Sequence, residues 1–169
     1  TFDGTDTVYA AGGNDKIIGG SGVDTFYGQD GNDHLYGYRD NDVLDGGDGN
    51  DRIVGGLGDD TILGGAGNDY VLAQTGDDTI STGTGTDEVL GGLGDDVITV
   101  DGTGNKTIDG GTGTDSLTIS VSGISGLGDY TPTANGDYTV LTDSNNNVIQ
   151  FKNIENLTVG SYAYTNDTS

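Results

Sequence analysis

A nine-residue period constrains this chain more than any other feature. Aligned on its aspartates, the sequence falls into thirteen units: eleven without interruption from Thr1 to Thr99, one inserted residue, Val100, then Asp101–Asp109 and Gly110–Thr118. The eighth position is apolar in every unit: Val8, Ile17, Phe26, Leu35, Leu44, Ile53, Ile62, Val71, Ile80, Val89, Ile98, Ile108 and Leu117. The sixth is Asp except at Lys106, and the fourth is Gly except at Asp40. Self-similarity at a fixed short period is the signature of a solenoid.

The period implies a shape. Positions 7 to 9 carry β-branched and aromatic residues and read as a short strand. Neighbouring strand residues face opposite ways, so the apolar position 8 points inward and positions 7 and 9 point outward. Positions 1 to 6 are rich in Gly, Asn and Asp and read as a turn. Strand, turn, strand, turn closes one coil every eighteen residues, and alternate strands stack into two parallel sheets with rungs ~4.8 Å apart.

Such a coil lacks the means to fold alone. One inward side chain per nine residues buries little apolar surface against the entropy of ordering a glycine-rich backbone. Stacking also aligns like charges. The 169 residues carry 34 Gly, 28 Asp plus Glu and 5 Lys plus Arg, a formal charge of −23. That composition means disorder unless something neutralises the charge. It argues against nucleic acid and anionic membranes as partners and points to cations. The absence of Cys removes disulfides and thiolate metal sites. No apolar run reaches membrane-spanning length, so membrane insertion is not expected, and Thr1 opens no signal peptide.

The aspartates supply the missing term. Turns on one edge are eighteen residues apart in sequence and adjacent in space. One column is Asp6, Asp24, Asp42, Asp60, Asp78, Asp96 and Asp115; the other is Asp15, Asp33, Asp51, Asp69 and Asp87. Between stacked turns lie two carboxylates and several glycine-exposed carbonyls. That all-oxygen cage suits Ca²⁺ better than Mg²⁺, which demands a tight octahedron, and Zn²⁺ would want His or Cys. Six neighbouring Asp pairs on the first column and four on the second predict nine or ten ions. Their +18 to +20 would bring −23 to between −5 and −3.

The unit G-G-x-G-x-D-x-U-x resembles the RTX (repeats-in-toxin) nonapeptide, a Ca²⁺-binding parallel β-helix repeat. Gly46–Val54, Gly55–Leu63 and Gly64–Leu72 fit it most closely, and the resemblance covers residues 1–118. It implies an all-β fold, a right-handed parallel β-roll, with Ca²⁺ held by the sixth-position carboxylates and by carbonyls of positions 1 to 4. On this chain those carbonyls are Gly46 and Asp48, Gly64 and Ala66, Gly47 and Gly49, and Gly65 and Gly67. It also implies export by the type I secretion machinery to the bacterial cell surface or medium.

Several features depart from the pattern. Lys106 stands where the column after Asp87 needs a carboxylate; its ammonium either takes the ion's place or marks repeat decay. Tyr38, Arg39 and Asp40 put the site near Asp42 in question, and the first unit, TFDGTD, is degenerate. Residues 119–169 leave the repeat. ISVSGISG, DYTVLTDSNNNVIQF and NIENLTV read as longer strands with Asn and Gly turns, a C-terminal β cap for the last coil. DSNNNV at 143–148 lacks the Gly and Glu of an EF-hand loop and reads as a hairpin turn. The sequons NLT at 156 and NDT at 166 matter only in a eukaryotic secretory context.

No catalytic set is visible. His34, the one histidine, sits at an outward strand position with no nucleophile placed against it, so the chain reads as non-enzymatic. Specificity is left to the outer faces. In odd-numbered units position 7 reads Thr7, Thr25, Val43, Thr61, Thr79, Val97, but the neighbouring Tyr9, Tyr27 and Leu63 are bulky. In even-numbered units it reads Lys16, His34, Arg52, Tyr70, Glu88, beside the candidate contact row Ile18, Tyr36, Val54, Leu72 and Leu90. Two functions follow. One is a Ca²⁺-dependent folding and export module of a large secreted protein, an adhesin by preference. The other is a binding module whose outer strand face contacts polysaccharide, ice or a protein partner. A regular two-row outer array favours the second; irregular rows favour the first.

Overall fold

In a computed structural model, which describes residues 3–121, 138–142, 145–160 and 162–165, the chain is all-β. Strands alternate between two sheets. The odd units supply β1 (Thr7–Tyr9), β3 (Thr25–Asp30), β5 (Val43–Asp48), β7 (Thr61–Ala66), β9 (Thr79–Ser81), β11 (Val97–Val100) and β13 (Ser116–Ile119). The even units supply β2 (Lys16–Ile18), β4 (His34–Arg39), β6 (Arg52–Leu57), β8 (Tyr70–Thr75), β10 (Asp87–Leu93) and β12 (Lys106–Thr112). Within each sheet these strands pair in parallel, eighteen residues apart, as in Leu44↔Ile62 and Ile53↔Val71. The result is a β-solenoid, two strands and two turns to a coil.

Strands are longer than the sequence suggests. Most run six residues, from position 7 to position 3 of the next unit, rather than three. The reason lies at position 1. Having no side chain, its glycine lets neighbouring backbones approach, and pairing skips Gly46 and Gly55 but resumes beyond them, as in Asp30↔Asp48 and, at position 2, Gln29↔Gly47. The position-2 residue takes the left-handed conformation in nearly every coil, Gly47 at φ 98° and Gly65 at φ 104° among them.

The interior is narrow. The position-8 side chains form its apolar spine, from Ile17 to Leu117, nearly all fully buried. Val8 at the open first coil is only half-buried. The inserted Val100 shifts the register from eighteen residues to nineteen, Asp87↔Lys106 and Val97↔Ser116, and is itself buried.

The C-terminal segment continues the coil. Strands β15 (Val148–Lys152) and β16 (Asn156–Val159) add parallel rungs to β12 and β13, with Phe151 stacked on Ile108 and Leu157 on Leu117. Both are buried, as position 8 requires. Strands β14 (Thr139–Thr142) and β17 (Tyr162–Thr165) then pair antiparallel to β15 and β16. The DSNNNV segment joins β14 to β15 as a hairpin, Asn146 at φ 63°, although its first two residues lie outside the described region. So do ISVSGISG beyond Val121 and the NDT sequon.

Candidate metal centre

Sixth-position aspartates line both edges of the interior. Of the twelve, the ten from Asp24 to Asp115 are buried to 3 % exposure or less, and Asp6 and Asp15 at the open end are half-buried. Each carboxylate faces two ways. Its Oδ1 accepts the backbone N–H of the aspartate one coil earlier, at 2.7–3.0 Å, from Asp6 N–H on Asp24 to Asp96 N–H on Asp115. Except in Asp87, its Oδ2 turns the other way and finds no hydrogen-bond partner. Ten such oxygens, on Asp15, Asp24, Asp33, Asp42, Asp51, Asp60, Asp69, Asp78, Asp96 and Asp115, are buried without a hydrogen-bond partner. A buried, unpaired anionic oxygen is costly, and ten in register is not repeat noise.

Glycine at position 1 keeps a cradle open beside most of these Oδ2 atoms. A Cβ at Gly46 would lie between Asp51 Oδ2 and the Gly64 carbonyl of the next coil; one at Gly55 would lie between Asp60 Oδ2 and the Ala73 carbonyl. Gly28, Gly37, Gly64, Gly91 and Gly110 repeat the arrangement.

Lys106 shows what the cradle accepts. Buried to 1 % exposure, its Nζ donates to the Asp87 carboxylate Oδ2 at 2.5 Å, to the Gly83 and Gly85 carbonyls at 2.9 Å and to the Thr103 carbonyl at 3.3 Å. Those acceptors are positions 6, 2 and 4 of one coil and position 3 of the next. Asp87 is the one buried sixth-position Asp of the ladder whose Oδ2 is satisfied. A tethered cation therefore occupies the point where the other coils leave carboxylate and carbonyl oxygens converging. The corresponding atoms one coil earlier are Asp69 Oδ2 with the Gly65 and Gly67 carbonyls; two coils earlier they are Asp51, Gly47 and Gly49, completed by Gly64 and Ala66. Gly46 and Asp48 serve the preceding coil in the same way. Among the described residues no three acidic or imidazole side chains cluster, so any cation here is held largely by backbone oxygen. Flexible all-oxygen coordination with few carboxylates is Ca²⁺ chemistry, and the residues present fit that ion.

Burial raises the pKa of these carboxyls. Asp60, Asp69 and Asp96 are pushed up to about 7, and Asp42, Asp78 and Asp115 to about 6; Asp24 and Asp51 rise as well. Loss of water is the largest cause. Neighbouring carboxylates add to it, and the donated backbone N–H opposes it. Without a cation the edge resists holding its own charge.

The degenerate turn keeps its form at a cost. Tyr38 and Asp40 adopt φ 85° and 71°, the left-handed conformation their glycine counterparts take freely, and Asp42 is buried like its neighbours. Two features escaped the sequence reading. Position 5 forms its own ladder: the Asn32 side-chain carbonyl accepts the Asn50 N–H, Asn50 accepts from Asn68, and Asp59, Asp77 and Asp95 continue the pattern on the other edge. This explains why Asp59, Asp77 and Asp95 each precede a sixth-position Asp. Glu155 also extends the first column, its Oε2 accepting the Asp115 N–H at 2.8 Å. The spacing Glu155-x-Leu157 carries the sixth-to-eighth signal, hidden because the turn from Phe151 is three residues shorter than the repeat.

The outward residues lie where the alternation puts them. His34 is exposed, and Ile18, Tyr36, Val54, Leu72 and Leu90 form one half-buried register row across β2, β4, β6, β8 and β10. On the other sheet Tyr9 and Tyr27 stack with ring centroids 4.8 Å apart.

No curated protein and no solved structure matches the chain. A family model described as RTX calcium-binding nonapeptide repeat matches in four copies, at residues 1–35, 27–62, 36–71 and 63–98. Its repeats bind Ca²⁺, and they are typical of secreted bacterial toxins and adhesins. With repeat, solenoid and oxygen cradles all in agreement over more than half its length, the chain belongs to the RTX calcium-binding nonapeptide repeat family.

Proposed function

We propose that this chain is a Ca²⁺-dependent folding and export module of a large secreted bacterial protein, with adhesin as the preferred parent. Residues 1–118 form its metal-binding roll and residues 119–169 its cap. The ten buried, unpartnered Oδ2 atoms carry this reading, beside an eleventh that a lysine satisfies. Nine or ten Ca²⁺ ions would take those positions, each held by a sixth-position carboxylate and by carbonyls of positions 2 and 4 in one coil and 1 and 3 in the next. The ions offset the charge and the entropy that the thin apolar spine leaves uncompensated, so binding free energy is folding free energy. The same oxygens perform no reaction: the RTX solenoid is in general a structural calcium-binding module.

Sites on a flexible glycine backbone must repay folding from their binding energy, which places apparent affinity near ~10⁻⁴–10⁻³ M, the range of extracellular modules. Cytosolic Ca²⁺ lies far below that. The chain would leave the cell unfolded through the type I machinery and fold outside. Each carboxylate contacts two coils, so one filled site orders half of the next and folding should be cooperative. A Ca²⁺ titration followed by circular dichroism decides the matter. The expected curve runs from disorder to strand with a Hill coefficient clearly above one. A strand-rich spectrum in chelator, or a micromolar non-cooperative midpoint, ends the export reading.

A further inference from the structure

Five basic residues stand against 28 acidic ones, and their placement is uneven. Lys106 is enclosed in its cradle, and Lys152 pairs with Asp109 at 2.9 Å. The other three, Lys16, Arg39 and Arg52, make no ion pair among the described residues, despite the abundance of carboxylates. All three lie on the strands of the even sheet, with the sole histidine. Lys16, His34, Arg52 and Tyr70 are successive register partners across β2, β4, β6 and β8. Lys16 and Arg52 stand two rungs apart with His34 between them, and the row runs on through Tyr70 to Glu88, so the two cations at its basic end are open to an anion from outside.

Aromatic rings interleave with these cations. The Lys16 ammonium sits 5.3 Å from the Tyr36 ring centroid and the Arg52 guanidinium 4.8 Å from that of Tyr70. Tyr36 lies 6.5 Å from both His34 and Tyr38. Beside them opens a groove of about 380 Å³ lined by Tyr36, Tyr38, Arg39, Leu57, Gln74 and Thr75 among others. Its origin is a register accident put to use: Gly56 pairs between Tyr38 and Gln74, so two long side chains flank a gap two rungs wide, roughly 9.5 Å. Tyr38 and Gln74 both hold left-handed backbones, φ 85° and 86°, where most coils place glycine.

We propose that this face of the calcium-loaded module binds an extended glycan bearing carboxylate groups, a uronate-containing chain lying along the solenoid axis. Tyrosine faces receive sugar rings, and unpaired guanidinium and ammonium groups receive carboxylates. The Gln74 amide and Thr75 hydroxyl remain for neutral hydroxyls. An acidic peptide strand fits less well, because strand addition needs a sheet edge and these strands turn their faces outward. A nucleic acid carries a charge at every nucleotide and is repelled by a chain of −23 net charge more than a glycan whose uronates alternate with neutral sugars. The proposal goes beyond calcium-dependent folding, which the Ca²⁺ titration tests separately.

The test is titration calorimetry on the calcium-saturated protein with a hyaluronan hexasaccharide, against chitohexaose as a neutral glycan and hexaglutamate as an acidic peptide. Tyr38→Gly is the decisive variant, since glycine suits that backbone and the fold is retained. Hyaluronan should bind in a salt-sensitive manner. Tyr38→Gly, and separately the Arg39→Gln/Arg52→Gln pair, should each weaken it by about tenfold or more, with the Ca²⁺ midpoint unraised. No hyaluronan binding, or binding indifferent to both variants, overturns the proposal. Equal affinity for chitohexaose removes the anionic requirement and overturns the class assigned. Equal affinity for hexaglutamate reduces the face to a charge patch for acidic protein and overturns the glycan.

Discussion

The two edges of the solenoid begin alike and end differently. On the first edge, sixth-position carboxylates run unbroken from Asp6 to Asp115 and on to Glu155, with glycine at position 1 as late as Gly110. On the second, Asp15 to Asp87 give way to Lys106 and then to Ile149, which pairs with it in β15. The residue after the strand's apolar stretch changes in step there, from Gly28, Gly46 and Gly64 at position 1 to Thr82, then to the inserted Val100 and its register partner Ile119, all three buried. One edge keeps its cation cradles to the cap. The other fills the last with an ammonium and then replaces it by apolar packing. The lesson is that a buried cage of carbonyls and one carboxylate is a stable element only when a positive charge sits in it. A chain that gives up the metal must supply the charge covalently or remove the polar atoms altogether.

The sharpest way to break that comparison is at Lys106. Lys106→Met keeps the volume and blocks the cradle while leaving Asp87 buried and unpaired. It should cost about 3–5 kcal/mol in urea unfolding at saturating Ca²⁺, without rescue by more Ca²⁺. Lys106→Asp should restore the repeat and add one ion to the count by native mass spectrometry. Wild-type stability for the first variant, or an unchanged count for the second, would show that the ammonium is not standing in for an ion.

Within the metal-type coils, Asp69→Ala should raise the Ca²⁺ midpoint several-fold more than Asp6→Ala. Asp69 holds the Asp51 N–H through Oδ1 and aims Oδ2 at the next coil, whereas Asp6 lies at the open end with no buried orphan oxygen. Equal midpoints for the two variants would contradict a ladder in which carboxylates serve two coils.

A smaller effect should come from position 1. Gly46→Ala puts a methyl between Asp51 Oδ2 and the Gly64 carbonyl, so the midpoint should rise, though less than on losing Asp69. The chain already tolerates Ala73 beside Asp78; Ala73→Gly should therefore lower the midpoint slightly. A Gly46→Ala variant with wild-type calcium affinity would mean that the cradle is not where the ion binds.

The smallest effect is that of pH. Asp60, Asp69 and Asp96 titrate near 7 in the metal-free fold, far above an ordinary carboxyl. A carboxyl raised by folding stabilises the fold while protonated, and that contribution disappears as pH climbs through the raised value. Calcium-free protein should therefore show more strand signal at pH 5 than at pH 8. With calcium the trend reverses: binding expels protons, so the midpoint should fall as pH rises from 6 to 8. Greater metal-free strand content at pH 8 would refute the burial of these carboxyls.

Much of this molecule was legible in its sequence because a solenoid converts sequence period into spatial repeat. Position 8 predicted the apolar spine, position 6 the two Asp columns, and the eighteen-residue coil the register, since each is a local pattern that stacking merely copies. What the sequence left open depended on where atoms meet across coils. Whether Lys106 was decay or replacement turned on its ammonium reaching the Asp87 carboxylate and the carbonyls of Gly83, Gly85 and Thr103, from two different coils. Glu155 joined the Asp column only because β15 and β16 resume the coil after a shortened turn, which no nine-residue period marks. The groove at Gly56 exists only because Tyr38 and Gln74 stack on either side of it. Period is a property of the chain, but a cradle, a column's end and a groove are properties of neighbours that the chain brings together from eighteen to forty residues apart, and packing alone decides which atoms those neighbours share.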